Sequence, residues 1–222
     1  MQSFVLFKSK NFISLLSLSS IQRKSQRLIS NSQSIKTIIG RLYNITIYDR
    51  KHNENKDCSN LTLPAIFDER LYYREWYKND KKHRDEKENN YTLPSCIYTN
   101  DEDISYWFKN GKSHRNERDE NGLVLPAFIH SFADQKVMAW YIDGKKHRDD
   151  KINNYTLPAV EYAWGDKEWW KDGKCHRDEK DENGALLPAI IRNPEMEHFL
   201  FSNGKEKEYW INGVVQKSCI IL

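Results

Sequence analysis

Apolar residues along this chain stand in short runs between polar turn residues, not at helical spacing. No window keeps the apolar period of about 3.6 residues that an amphipathic helix requires. Asn-Gly and Asp-Gly pairs separate the runs, and such pairs favour two-residue hairpin turns because both central residues need a positive φ. The pattern therefore predicts antiparallel strands of about five residues joined by tight turns. The clearest pairs are Asn110-Gly111, Asp143-Gly144, Asp172-Gly173 and Asn212-Gly213, and Asn79-Asp80 is a weaker copy.

These turns belong to a tandem repeat of about 31 residues. In each copy a Trp is followed seven residues later by His-Arg, and a Leu-Pro-Ala or Leu-Pro-Ser triplet comes after a charged linker. The linkers match better between alternate units than between neighbours, which indicates that a two-unit block was duplicated. The repeat signature comprises Trp76, Trp107, Trp140, Trp169, His83, Arg84, His114, Arg115, His147, Arg148, His176 and Arg177.

The repeat predicts three segments. Residues 1–48 form a basic, Ser-rich leader that is helical or disordered, residues 49–217 hold about five hairpin units, and residues 218–222 form a tail. The end units are degenerate, as capping of a stack requires: upstream only Tyr48, Lys51 and His52 keep traces of the motif, and Gln216 stands where the last unit would have its His. We expect an all-β fold in which tandem antiparallel hairpins form an elongated sheet or a β-solenoid.

Each Trp is followed directly by a second aromatic residue. Because neighbouring residues of a strand point to opposite faces, the two rings of each pair must lie on different sides. One row is expected to build the core. The other row is either covered by the linkers or open as a candidate binding strip, which we call the aromatic strip: Tyr77, Phe108, Tyr141 and Trp170.

The motif Trp-Tyr-x-Asn-Gly-Lys-x-His-Arg followed by Pro-Ala resembles the MORN-like repeats that abound in large DNA viruses of protists and in some bacteriophages. The copies here read WYKNDKKHR, WFKNGKSHR, WYIDGKKHR and WWKDGKCHR. The resemblance covers about residues 45–217 and implies a hairpin sheet or solenoid used for protein or membrane association, with no activity attached. This chain inserts extra residues between His-Arg and Pro-Ala where the family has almost none, which suggests an additional hairpin in each unit.

The chemistry-bearing residues favour structural roles. Zinc needs about four ligands around one point, whereas histidines a whole repeat apart lie along a line. We therefore expect the His and Arg side chains to make hydrogen bonds and cation–π contacts with the aromatic residues. The linker carboxylates are expected in solvated loops, without the burial that tunes a catalytic acid. With no phosphate loop, nucleophile elbow or His-Glu-x-x-His motif in the sequence, we predict no enzyme, no metal and no cofactor.

The net charge of +3 over 222 residues averages two unlike parts. The leader carries seven basic and no acidic residues, which leaves 28 of the 35 basic residues against all 32 acidic ones, a net of −4. This balance makes duplex nucleic acid an improbable partner. Aromatic rings beside Lys and Arg would also suit single-stranded nucleic acid, which stays a third interpretation.

The two ends of the chain carry competing candidate targeting signals. The leader has the basic, acid-free composition of a mitochondrial transit peptide, or it simply precedes the repeats. Cys219-Ile220-Ile221-Leu222 fits a prenylation box at Cys219, or it is a last strand of the sheet. Prenylation in the cytosol and mitochondrial import exclude each other, so at most one of the two signals is used. Without either, the protein is expected to be intracellular and cytoplasmic.

Two functions of different kinds follow from these patterns. The leading hypothesis is a non-enzymatic β-repeat scaffold that binds an unknown protein partner along the aromatic strip. The alternative is a membrane-associated adaptor anchored by a lipid on Cys219.

Overall fold

The computed structural model describes residues 45–47, 56–68, 72–99, 102–133, 135–196 and 205–216. Every regular element in these ranges is a β-strand, and the strand pairs with a defined register are antiparallel, which confirms the predicted all-β class of tandem hairpins. The expectations for residues 1–44, for Tyr48, Lys51 and His52, and for the tail with Cys219 lie outside the described residues.

The described residues form 24 strands. They are β1 (Ile45–Ile47), β2 (Ile66–Asp68), β3 (Tyr73–Glu75), β4 (Tyr77–Lys78), β5 (Lys81–Lys82), β6 (Lys87–Glu88), β7 (Tyr91–Thr92), β8 (Cys96–Thr99), β9 (Glu102–Tyr106), β10 (Phe108–Lys109), β11 (Lys112–Ser113), β12 (Phe128–Phe132), β13 (Gln135–Ala139), β14 (Tyr141–Ile142), β15 (Lys145–Lys146), β16 (Lys151–Ile152), β17 (Tyr155–Thr156), β18 (Val160–Tyr162), β19 (Lys167–Glu168), β20 (Trp170–Lys171), β21 (Lys174–Cys175), β22 (Ile190–Ile191), β23 (Lys207–Ile211) and β24 (Val214–Gln216).

Twelve of these strands form one large sheet, ordered β1-β2-β3-β8-β9-β12-β13-β18-β19-β22-β23-β24. The chain therefore adds strands to the sheet in sequence order. It leaves the sheet after β3, β9, β13 and β19 and returns in the strand next to the one it left. Each departure begins at a signature Trp and carries two small hairpins, the first in the repeat motif and the second in the linker.

The motif hairpins are β4–β5, β10–β11, β14–β15 and β20–β21, and β23–β24 makes a fifth. Their turns are those that the sequence predicts: Asn110 and Gly111 have φ values of 51° and 82°, and the weak copy Asn79-Asp80 has 51° and 59°. The first four have strands of only two residues, shorter than predicted. The ladder ends at the preceding Trp: Trp76 O still accepts from His83 N (3.0 Å), but Trp76 N–H donates away from the hairpin to Ser95 O (2.9 Å).

The linkers also form hairpins, so the additional hairpin per unit is confirmed. Strands β6–β7 and β16–β17 close tight Asn-Asn turns, while three wider linkers are closed by single bridges, Lys56↔Thr62, Arg118↔Val124 and Lys180↔Leu186. Wide and tight linkers alternate along the chain, as the duplication of a two-unit block predicts. The alternation reaches upstream to residues 56–62, a copy that the sequence did not reveal.

The core runs from unit to unit in place of one central cluster. The Ala of each Leu-Pro-Ala triplet is completely buried, and Ser95 takes its place in one unit. Only a small residue fits here because the chain re-enters the large sheet at this point: Ala127 O accepts from Trp107 N (2.9 Å) and Ala127 N donates to Ala139 O (3.0 Å). The four signature Trp rings complete the core, each 4–8% exposed.

Candidate functional site

The register of the large sheet separates the two aromatic rows. Phe128 pairs with Tyr106 on one side and Ala139 on the other, so these residues share a face of the sheet. The ring of Tyr106 lies 4.7 Å from that of Phe128 and 5.8 Å from that of Phe108. The aromatic strip therefore continues onto this face, while each signature Trp, one residue earlier, is directed to the other side.

Each signature Trp is held between its own Arg and the linker hairpin of the preceding unit. The indole Nε1 donates to a backbone carbonyl of that hairpin, as from Trp107 to Thr92 O (2.7 Å), and the guanidinium of Arg115 stacks 4.1 Å above the ring. The guanidinium also donates to Pro126 O (3.2 Å). Equivalent stacks at 3.7–4.1 Å join Arg84 to Trp76, Arg148 to Trp140 and Arg177 to Trp169.

A carboxylate two residues after each Arg completes the joint between units. Glu117 accepts from Arg115 Nε (3.3 Å), from Thr92 N (3.0 Å) and from Thr92 Oγ1 (2.6 Å). The N–H and C=O of Thr92 are thus both bound by the next unit, one by its carboxylate and one by its Trp. The residues in the position of Glu117 in the other units are Glu86, Asp150 and Glu179.

The expectation that the linker carboxylates lie in solvated loops is wrong for these four residues. The linker hairpins stack on one another, so the carboxylate of one unit is enclosed by the hairpin before it, and Asp150 is only 7% exposed. Burial by itself would raise the pKa of the Glu117 carboxyl, but the hydrogen bonds from Thr92 and Arg115 outweigh burial and lower the pKa. A carboxylate with a lowered pKa remains ionised and suits a structural role.

The signature His residues join successive motif hairpins. His83 Nδ1 accepts from Asn110 N (3.0 Å) in the turn of the next unit, and Gly111 N donates to Lys82 O (2.8 Å) beside it. His114, His147 and His176 make the equivalent bond at 3.1–3.2 Å. On the other ring nitrogen, His83 Nε2 lies 2.6 Å from Asp85 Oδ1. The cation–π stacks expected of the Arg residues are therefore present, whereas the His side chains bond to turn backbone and to Asp carboxylates and not to the aromatic residues as expected.

The four rings of the aromatic strip are half-buried, neither fully open nor covered. Trp210 of the fifth motif hairpin continues the row, which the sequence analysis missed although Tyr209-Trp210-Ile211-Asn212-Gly213 repeats the motif. The hydroxyl of Tyr77 donates to Glu75 Oε2 (2.7 Å), and Trp170 Nε1 donates to Glu168 Oε2 (2.8 Å). Tyr77 and Trp170 are thus each held by a carboxylate of the large sheet.

The sequence analysis also missed the aromatic residues that the large sheet adds to this surface. Tyr73 and Tyr98 stack with ring centroids 4.2 Å apart, and Tyr162 lies 4.8 Å from Trp164. Burial raises the pKa of the Tyr162 hydroxyl to about 12, with nearby Glu168 adding to the effect. The signal was the presence of aromatic residues such as Tyr98 and Tyr106 in the stretch between each Leu-Pro-Ala or Leu-Pro-Ser triplet and the next signature Trp.

Three further observations concern metal, membrane and thiol chemistry. Within the described ranges no three His, Cys, Asp or Glu side chains group as a metal site, and no helix there is long and apolar enough to cross a membrane. Burial raises the pKa of the Cys96 and Cys175 thiols to about 12, so neither is a reactive nucleophile. Cys58 is exposed.

Comparisons with known proteins leave the chain without a demonstrated relative. No family model matches it, and neither the curated proteins nor the solved structures contain a significant match. The resemblance to MORN-like repeats therefore rests on the motif alone.

Proposed function

We propose that this protein is a non-enzymatic β-repeat scaffold that binds a protein partner along its aromatic strip. The observation that carries the proposal is the row of half-buried rings on one face, one ring from each unit and held in register by the joints. Aromatic side chains dominate the energetics of protein interfaces. Rings already fixed by packing lose little conformational entropy when a partner binds.

The surroundings of the strip support a protein partner. Tyr106 and Phe128 extend the aromatic surface from Phe108 onto the large sheet, so the apolar area is continuous. Continuous apolar surfaces edged by polar groups mark interaction sites more often than scattered exposed rings do. Two lysines beside the strip are paired, Lys82 with Glu75 and Lys146 with Glu168 (3.1 Å), so these charges can remain at the edge of an interface without being isolated.

The test compares two fourfold variants by affinity capture from an extract of the producing cells. One variant replaces all four strip residues by Leu, which keeps apolar bulk at the base and removes the rings. The matched control replaces four exposed aromatic residues outside the strip, each 37–54% exposed, by Leu: Tyr72, Tyr91, Phe132 and Tyr155. Urea unfolding of both proteins establishes that they are folded.

We expect the strip variant to lose a protein that the wild type and the control variant both retain. If the folded strip variant captures the same proteins as the control, binding does not use the strip and the proposal fails. If both variants fail to capture the protein, the interaction depends on exposed aromatic residues anywhere on the surface and not on the strip, which also contradicts the proposal.

A further inference from the structure

A lysine ammonium group lies over alternate rings of the aromatic strip, counting Trp210 as its fifth ring. Lys82 Nζ lies 5.4 Å from the centre of the Phe108 ring, and Lys146 Nζ lies 4.5 Å from the centre of the Trp170 ring. Each of these lysines belongs to the unit before the ring that it covers. Among the described residues, no cation lies over Tyr141 or Trp210, the rings that follow Phe108 and Trp170 in the row.

The alternation has a simple cause in the motif hairpins. Lys82 stands opposite Tyr77 and Lys146 stands opposite Tyr141 in their hairpins. The residues at this place in the other two hairpins are Ser113, opposite Phe108, and Cys175, opposite Trp170. A Ser or Cys side chain carries no charge and is too short to cover the next ring. The two-unit duplication therefore leaves Tyr141 and Trp210 without a cation from the described part of the chain.

The charge near the uncovered rings also favours a cation. Trp210 Nε1 donates to Glu208 Oε2 (3.3 Å), but the other oxygen of this carboxylate is paired with Arg192 (3.1 Å), so the charge that favours a cation is that of the region as a whole. Residues 49–222 carry 28 basic and 32 acidic residues, so the region that bears the row has a net negative charge. An aromatic face attracts a guanidinium or ammonium group, and the net negative charge of the region adds to the attraction.

We propose that the partner is a basic polypeptide segment whose Arg or Lys side chains cover Tyr141 and Trp210. This inference rests on the proposed function and specifies the chemistry of the partner. Tyr141 follows β13 and Trp210 lies in β23, four strand steps further in the sheet, which corresponds to about 19 Å at a strand spacing of about 4.8 Å. An extended peptide covers this distance with about six residues, so the two cations stand about six positions apart.

The test measures binding of a fluorescent octa-arginine peptide to the full chain by anisotropy at low salt. Ser113→Lys supplies Tyr141 with the internal cation that Phe108 already has, and should weaken binding about two- to fivefold, the change expected for one cation–π contact. Lys146→Ser removes the cation over Trp170 and should strengthen binding by a similar factor. Thr99→Lys adds the same charge as Ser113→Lys at an exposed position of β8 and is the matched control.

A double-mutant cycle separates ring contact from net charge. In a Tyr141→Leu background, Ser113→Lys should have no further effect, because the ring that it covers has gone. The inference is overturned if octa-arginine does not bind, if Thr99→Lys weakens binding as much as Ser113→Lys, or if the cycle shows no coupling. Tighter binding of octa-glutamate or of an oligothymidine of equal length would also overturn it.

These outcomes are distinct from failure of the proposed function. One such outcome is that the fourfold strip variant loses its partner while Ser113→Lys and Lys146→Ser leave the affinity for octa-arginine unchanged. In that case the strip binds a protein, but not through basic side chains of the partner. Lys146→Ser adds no bulk, although it also removes the ion pair with Glu168, so it remains a test even if Ser113→Lys impairs folding.

Discussion

Replacing Glu117 by Ala removes the carboxylate that joins the Trp107 unit to the linker hairpin before it. The backbone N–H and the hydroxyl of Thr92 lose their acceptor, and Arg115, which is only 8% exposed, loses the nearest negative charge. The stack of Arg115 on Trp107 and its bond to Pro126 O remain. The perturbation is therefore confined to one joint and leaves the rest of both units in place.

The expected loss of stability follows from these contacts. A hydrogen bond to a charged group contributes about 1.5–3 kcal/mol. The Glu117 side chain is 17% exposed, so water replaces part of what is lost, and we take the lower end for each of the two bonds from Thr92. The free energy of unfolding should fall by about 3 kcal/mol, a large share of the roughly 5–15 kcal/mol of a typical domain. Glu117→Gln keeps an acceptor for Thr92 but loses the charge, so it should cost about 1–2 kcal/mol.

Urea unfolding followed by Trp fluorescence measures the effect, since Trp107 lies at the joint itself. Glu120→Ala is the control, because Glu120 is exposed in the same linker and its loss should change stability by less than about 0.5 kcal/mol. Repeat arrays are stabilised largely by their nearest-neighbour interfaces, so a broken joint should lower the urea midpoint or split the transition. If Glu117→Ala and Glu120→Ala unfold at the same midpoint with the same single transition, the reasoning about the joint is wrong.

Three further outcomes are expected. Asp80→Gly should raise the free energy of unfolding by roughly 0.5 kcal/mol, measured in urea, because Asp80 has a φ of 59° that Gly adopts more readily; an unchanged or lower value would contradict this. Burial alone would raise the pKa of Glu179, but bonds from Thr156 and Arg177 lower it below the ordinary 4.5. The stabilisation from this carboxylate is thus complete above about pH 4.5 and is lost as the pH falls through the folded-state pKa. Glu179→Gln should flatten that part of the stability–pH curve, and an unaltered acid slope would refute the assignment. A thiol reagent should label Cys58 in the folded protein and should label Cys96 and Cys175 only after unfolding, which peptide mapping by mass spectrometry detects; rapid labelling of Cys96 in the folded protein would contradict the buried site.

The sequence predicts those features of the fold that depend on residues adjacent in the chain. The Asn110-Gly111 pair alone specifies a hairpin turn, and the repetition of such pairs gives the number and order of the motif hairpins. The partner of a linker carboxylate cannot be predicted from neighbouring residues, because Glu117 and Glu120 are both acidic residues of the same linker. Only the stacking of one linker hairpin on the next shows that Glu117 meets Thr92 while Glu120 faces solvent.

A regular signal for these carboxylates was nevertheless present. An acidic residue stands ten positions after every signature Trp, even though the linkers that follow differ in length and composition. A fixed offset between two residue types, maintained while the residues around them vary, indicates a shared contact. The uncovered rings Tyr141 and Trp210 could not be found in this way, because their property depends on Ser113 and Cys175 of the preceding units.

The joint also explains why the spacing of the repeats can vary. The wide linker closes at Val124 and the tight linker closes at Thr92, yet each offers its N–H to the next carboxylate and its C=O to the next Trp. Val124 lacks the hydroxyl, and Asp150 binds Arg118 (2.9 Å) in its place. What stacking requires is the register of the closing residue, not the length of the turn before it. We therefore expect insertions at the linker tips to be tolerated. A shift of the closing residue by one position would instead turn its backbone N–H and C=O away from the next carboxylate and the next Trp, and both bonds of the joint would be lost.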